Sequence, residues 1–270
     1  MRQIFPVQGP DLQVVPKATA GPPPPAVQEL ARLYAADARP RWLQANMVAS
    51  VDGAASLAGR SGGLSGPGDR MVFTVLRSQA DLILVGAGTA RTERYRPAQA
   101  AELWRQLRPA GAPLPAIAVV TARLNVDPDW QLLTGAPADA QTIVITTTDA
   151  PADRKAAIAR YGQVIEAGQG HVDMTTAVSA LRGLGYNRIL CEGGPTLLGQ
   201  LYAARLVDEL CLTTSPLIAA GPADRIVSPA PAGPAPSDSA GTADGVSARL
   251  SLTHLLADES FLFCRYLTEK

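Results

Sequence analysis

The sequence predicts an α/β fold with a mixed, mostly parallel sheet flanked by helices and closed by an antiparallel C-terminal edge. Two observations carry this. Short apolar runs at Leu82–Val85, Ile117–Val120, Ile143–Ile145 and Ile189–Cys191 are each bounded by turn residues, the pattern of strands buried on both faces. Helical stretches lie between several of them, and such alternation builds a parallel sheet. Near the end the rhythm changes. Leu206–Thr214, Arg249–Leu255 and Ser260–Leu267 read as strands with no helix between the last two, which predicts the antiparallel edge.

The elements follow in order. Residues 1–25 end in a proline run and read as an extended, partly mobile lead-in. A helix over Ala26–Ala36 places Val27, Leu30, Leu33 and Tyr34 at helical spacing, and Pro40 stops it. Residues 1–40 are therefore an N-terminal extension with a short helix, and 41–270 form one domain. Within it, Trp42–Ala49 is a strand, Ser50–Ser65 a glycine-rich loop, and Asp69 to Ala80 a helix. Pro151–Tyr161 starts with proline in its first turn. Asp173–Arg182 is capped by Asp173 and stopped by Gly183 or Gly185. The stretch 219–248, rich in Pro, Ala, Gly, Ser and Asp, is a long loop.

The totals exclude several functions. Twenty-four basic and 24 acidic residues give zero net charge over 270 residues, without the basic surplus that phosphate-backbone binding asks for. No run approaches the roughly 20 apolar residues of a membrane span, and the N-terminus lacks a signal-peptide core. We expect a cytoplasmic protein without nucleic-acid or membrane partners. Cys191, Cys211 and Cys264 form no CxxC pair, and only two histidines are present, so no metal site is expected.

Four stretches carry candidate chemistry. Val85-Gly86-Ala87-Gly88-Thr89 follows a strand and is either a tight loop or a close-approach phosphate turn. It is not the dinucleotide fingerprint, because Arg91 holds the third glycine position. In Cys191-Glu192-Gly193-Gly194-Pro195-Thr196-Leu197-Leu198 a strand runs through two glycines into a helix start, a seat for diphosphate. Glu192 there is either a ligand-facing acid or a helix-capping carboxylate. Asn46-Met47-Val48-Ala49-Ser50-Val51-Asp52-Gly53 breaks a strand into an Asp-Gly turn, which is turn chemistry or a site. Ser61-Gly62-Gly63-Leu64-Ser65 precedes a helix bearing Arg70 and Arg77, a phosphate-ester seat or a loop beside a solvated face.

These motifs in this order, with Leu-Arg-Ser-Gln-Ala-Asp-Leu-Ile-Leu-Val-Gly-Ala-Gly-Thr between them and Val207-Asp208-Glu209-Leu210 ahead of Pro216-Leu217-Ile218, resemble the C-terminal reductase domain of RibD-type riboflavin-biosynthesis proteins. The stretch Gly-Ala-Gly-Thr-Ala-Arg-Thr-Glu-Arg-Tyr is similar to a stand-alone, actinobacterial-type branch. The resemblance implies a dihydrofolate reductase-like fold, NADPH as cofactor and a homodimer. It implies reduction of 5-amino-6-(5-phosphoribosylamino)uracil to its ribityl form. By position, Val48, Ala49, Gly86, Gly88, Thr89, Gly193, Gly194, Pro195, Thr196, Leu197 and Leu198 line the cofactor. Thr121 and Arg123 take its 2′-phosphate. Asn46, Ser61, Arg77 and Glu93 contact substrate. Glu192, then Asp52, move the proton. The zinc deaminase signature of the bifunctional relatives is absent, and Asn46 replaces a lysine common in the family. A dihydrofolate, pteridine or other pyrimidine reductase is the enzymatic alternative, an NADP-binding protein without catalysis the non-enzymatic one. A two-domain Rossmann dehydrogenase is disfavoured by the missing third glycine.

Overall fold

The computed structural model describes residues 1–5, 23–36, 39–98, 106–108, 110–229 and 247–269. The strands are β1 (Arg2–Phe5), β2 (Trp42–Ser50), β3 (Leu82–Gly86), β4 (Ala116–Val120), β5 (Ile143–Thr146), β6 (Gln163–Glu166), β7 (Arg188–Cys191), β8 (Glu209–Ser215), β9 (Leu250–Asp258) and β10 (Phe261–Thr268). They form one ten-stranded sheet in the order β1-β9-β10-β8-β2-β7-β3-β4-β5-β6. From β8 to β6 every neighbouring pair is parallel; β8–β10, β10–β9 and β9–β1 are antiparallel. The helices are α1 (Pro25–Leu33), α2 (Pro67–Gln79), α3 (Ala87–Thr92), α4 (Gln131–Thr134), α5 (Ala152–Ile158), α6 (Met174–Gly183) and α7 (Pro195–Ala203).

The two-residue period of a strand divides β3 between two cores. Leu82 and Leu84 pack with Leu43, Ala45 and Ala118 on one face, while Ile83 and Val85 join Ile117, Val119 and Leu132 on the other. This is why the parallel strands read as unbroken apolar runs. Asp173 caps α6 by accepting from Thr175 N (3.0 Å) and Thr176 N (3.2 Å). That helix runs through Gly183 and stops at Gly185, whose φ is +95°. β9 and β10 form a hairpin whose two turn residues, Glu259 and Ser260, both have positive φ, as a tight turn matched to strand twist requires.

Three elements differ from the sequence expectation. The first residues of the lead-in form β1, which pairs antiparallel with β9; the rest of the lead-in up to residue 22 lies outside the described residues. β6, an edge strand with Ile165 alone well buried, has too little apolar pattern to stand out. The Gly86–Thr89 turn is the start of α3 rather than a loop. A fourth difference is a boundary. β8 begins at Glu209, not Leu206, because Arg205 turns to φ +54° and Leu206 N bonds back to Leu201 O at 3.0 Å. Residues 230–246 of the predicted long loop lie outside the described residues.

A buried ionic group locks α1 and the antiparallel edge onto β2. Glu209 is fully buried and accepts from Arg265 (2.7 Å), the Trp42 indole (3.1 Å), Gln44 and the Cys211 thiol (3.3 Å). Arg265 also donates to the Leu33 and Ala35 carbonyls at the end of α1. Removing one partner of a buried pair leaves an uncompensated charge. Arg265→Met is therefore expected to cost about 3–5 kcal/mol in urea unfolding; a change below about 1 kcal/mol contradicts this role for the pair.

His254 lies buried against Tyr34, ring centroids 4.8 Å apart. Burial, then the nearby Arg265 charge, pushes its pKa down to about 4 from 6.5. Between those values the unfolded chain binds more protons, so its stabilising contribution is whole above the ordinary value and declines as pH falls toward 4. His254→Phe is expected to flatten stability against pH across that window. An unchanged slope contradicts the assignment.

Candidate active site

The glycine-rich crossings meet because β3 and β7 are neighbours. Each runs out at its carboxyl end into a helix, and ligands of open α/β sheets sit in that crevice. Gly86 N donates to Gly193 O at 2.8 Å, so the two crossings are stitched together. Gly193 adopts φ +82° and is joined to Gly194 by a cis peptide bond. A Cβ at Gly194 would lie 2.4 Å from Thr89 Oγ1, whereas one at Gly88 would meet nothing within 4 Å. Gly194 thus permits the close approach, and Gly88 leaves open space over α3. Helix geometry leaves the N–H groups of Thr196 and Leu197 without an intrahelical acceptor. Leu198 N is already bonded to Gly194 O at 3.0 Å and the Leu198 side chain is core. The resemblance expects Leu198 at the cofactor; in the fold it packs in the core and does not line the cleft. Pro195, which has no N–H, starts α7 and lines the cleft.

A cleft of about 920 Å³ opens in front of these turns. β2 contributes Asn46, Met47 and Val48. α2 contributes Asp69, Arg70, Phe73, Thr74 and Arg77, residues that helical spacing places on one face. Gly88, Thr89, Glu93 to Ala98, Glu192 and Gly194 complete the main walls. Ala49 is buried behind the lining.

The strongest electrostatic arrangement is built on Glu192. Arg77 grips it with two parallel hydrogen bonds, Nε to Oε1 and Nη2 to Oε2, both 2.6 Å. The Tyr95 hydroxyl donates to Oε2 as well. The Arg77 guanidinium lies 4.1 Å from the centroid of Phe73 and 5.4 Å from that of Tyr95, which fixes its plane. Burial opposes the charge on Arg77, but the Glu192 carboxylate outweighs burial and raises its pKa. Burial, then Glu192, pushes the Tyr95 phenol well above its ordinary value. Asp69, also lining the cleft, is raised by burial, against the lowering hydrogen bonds of Ser65 and Thr213. The Asn46 side-chain oxygen is buried and has no hydrogen-bond partner among the described residues.

The other expected site residues divide. Ser61 and Glu93 both line the cleft and bond to each other, Ser61 N and Oγ donating to Glu93 Oε1 at 2.7 and 2.9 Å. They tie the loop before α2 to the end of α3. Thr121 is buried just past β4, and Arg123 is exposed beside it. Both lie at the carboxyl end of the sheet but outside the cleft lining. Asp52 is a correction. It is exposed and held down to a pKa of about 2 by the Ser50 hydroxyl, then by Ala219 N and Ala220 N. It clasps the end of β2 to the segment after β8 and does not line the cleft. Sequence reasoning missed Tyr95 and Asp69; the recurrence of Asp69, Phe73 and Arg77 at four-residue steps along α2 was the signal for the second.

Comparison with known proteins agrees with this geometry. The RibD C-terminal domain family matches residues 41–234. A 2,5-diamino-6-ribosylamino-4(3H)-pyrimidinone 5′-phosphate reductase of Methanothermobacter thermautotrophicus is 28% identical over 176 residues, 65% of this chain and 78% of the relative. One of the same name from Archaeoglobus fulgidus is 29% identical over 179 residues, 65% and 80% of the two chains. Among solved structures, a pyrimidine reductase-like protein from Corynebacterium diphtheriae superposes with a TM-score of 0.74 at 25% identity, covering 89% of this chain and 98% of that one. With its mixed sheet, its paired glycine crossings and its matched span, the chain belongs to the RibD C-terminal domain family.

Proposed function

We propose that the chain is an NADPH-dependent reductase of a pyrimidine bearing a phosphoribosylamino group, converting the ribosyl unit to a ribityl chain. The observation that carries this is the Arg77–Glu192–Tyr95 group facing the cleft beside the two glycine crossings. The cofactor fits those crossings. Gly194 admits close backbone approach, the space over Gly88 is open, and Thr196 and Leu197 offer N–H groups to a diphosphate. Gly86, Thr89 and Gly193 would complete that cradle, Val48 would lie on the nicotinamide side, and Thr121 and Arg123 would hold the 2′-phosphate. When bound, NADPH supplies the hydride.

The chain's own residues prepare the sugar. As the ribose ring opens, the ring oxygen takes up a proton and the C1′–N bond becomes a cationic iminium; hydride addition at C1′ then leaves a neutral secondary amine. A carboxylate held ready in a half-enclosed cleft stabilises that cation. Glu192 accepts hydrogen bonds at both oxygens, so its role is this charge stabilisation and the orientation of the sugar. Arg77 and Tyr95 act through it as positioning residues.

The substrate preference follows from two acceptors. The uracil expected from the resemblance carries an oxygen at ring position 2, where the substrate in the relatives' names carries an amino group. An amino group donates, and Asn46 and Asp69, which both line the cleft, carry side-chain oxygens that accept. The 2,5-diaminopyrimidinone is accordingly the preferred form.

NADPH oxidation by the purified protein with the 2,5-diamino substrate is expected, and Glu192→Gln should lower kcat on the order of 10²–10³-fold. NADPH binding without turnover, or turnover with dihydrofolate alone, contradicts the reading. Asn46→Lys removes the amide oxygen acceptor and leaves only donors, so it should shift the kcat/KM ratio toward the uracil by about tenfold or more. An unchanged ratio removes Asn46 from ring recognition.

A further inference from the structure

The chain leaves β8 at Ser215 and is then tied down at three points in succession. Ala219 N and Ala220 N donate to Asp52 at 3.1 and 2.8 Å, just past the end of β2. The Asp224 carbonyl accepts from Ala55 N at 2.8 Å, and Ser228 N donates to the Pro195 carbonyl at 3.1 Å. Between the last two points Ile226 and Val227 pack against the core. Gly199 lets the segment lie directly on α7, since a Cβ there would stand 1.9 Å from the Ser228 carbonyl oxygen. The segment is therefore a strap from the loop after β2 to the first turn of α7. It spans the two ends of the cofactor seat, Val48 at one and Gly194 with the start of α7 at the other. Asp224 is the residue of this strap that lines the cleft, beside Ala55 and Ser56. Its carboxylate is exposed, and among the described residues it has no ion-pair or hydrogen-bond partner.

We propose that the Asp224 carboxylate seats the ribose of the nicotinamide half of NADPH by accepting from its hydroxyls; this rests on the NADPH reading of the cleft. Covalent connectivity puts that ribose between the nicotinamide ring and the diphosphate, and the strap crosses the same interval. A ribose diol presents two O–H donors, and an ionised carboxylate only accepts. An acidic side chain on a ribose hydroxyl is the solution that open α/β sheets use for dinucleotides. Without such bonds the carboxylate would be a liability, because a negative charge near a diphosphate repels it. The two roles have opposite signs. Removing a bystander charge tightens binding of any phosphate-bearing ligand, whereas removing a ribose acceptor weakens binding of ligands that carry that ribose.

Isothermal titration calorimetry separates them. The unaltered protein, Asp224→Ala and the exposed control Arg160→Gln are titrated with NADPH and with adenosine 2′,5′-bisphosphate, which lacks the nicotinamide ribose. Asp224→Ala should weaken NADPH binding about tenfold or more and leave the bisphosphate within about twofold, while the control matches the unaltered protein. Equal or tighter NADPH binding by Asp224→Ala overturns the proposal. That holds also where the variant raises KM for the substrate, which would place Asp224 on the substrate instead. Weakening of both ligands to the same degree overturns it too, because the strap has then shifted from α7 as a whole. If the unaltered protein does not bind NADPH, the cofactor reading itself fails, and the ribose seat falls with it.

Discussion

A carboxylate buried at the end of a central parallel strand stays there only if charge and hydrogen bonds answer it. Glu192 meets that condition through Arg77 and Tyr95, which arrive from different parts of the chain: α2 follows the loop after β2, and Tyr95 follows α3. Meeting that one requirement sets the geometry of the cleft. It fixes α2 against β7, aims the Phe73–Arg77 face inward, and draws the segment after α3 across the opening. The Ser61–Glu93 hydrogen bonds tie the loop before α2 to the same segment.

Of the other buried carboxylates, Glu209 gives the instructive contrast. Glu209 is fully buried and bonded to Arg265, Trp42, Gln44 and Cys211, none of which lines the main cleft. It locks α1 and the antiparallel edge to β2. Glu192 has a comparable set of donors but faces a cleft bordered by two glycine crossings. Burial and pairing alone do not separate a structural acid from a functional one; the open space in front of it does.

Much of the fold was legible because parallel strands are buried on both faces and announce themselves as apolar runs. β3, β4, β5 and β7 were visible for that reason, as was α6 through its Asp173 cap. β1 and β6 were not, because four residues at a sheet edge show no usable period. Gly86 and Gly88 masked α3, since glycine weakens the helical signal it precedes. For the site, the order of motifs singled out Glu192, Arg77, Gly88, Thr89 and Gly194, all of which line the cleft. Asp52 was misplaced because an Asp-Gly turn at a strand end looks the same whether its carboxylate serves a ligand or the backbone. Only tertiary contacts with Ala219 and Ala220 distinguish the two. Tyr95 was hidden for a similar reason, as its partner lies 97 residues away.

The central claim is that the Glu192 group presents C1′ of a sugar to a hydride donor seated on the glycine crossings. Isotope transfer tests it most directly. With NADPH deuterated at the transferring position of the nicotinamide and the 2,5-diamino substrate, the account predicts one deuterium at C1′ of the ribityl product, located by mass spectrometry or NMR. A product without deuterium, or with deuterium at any other carbon, contradicts it.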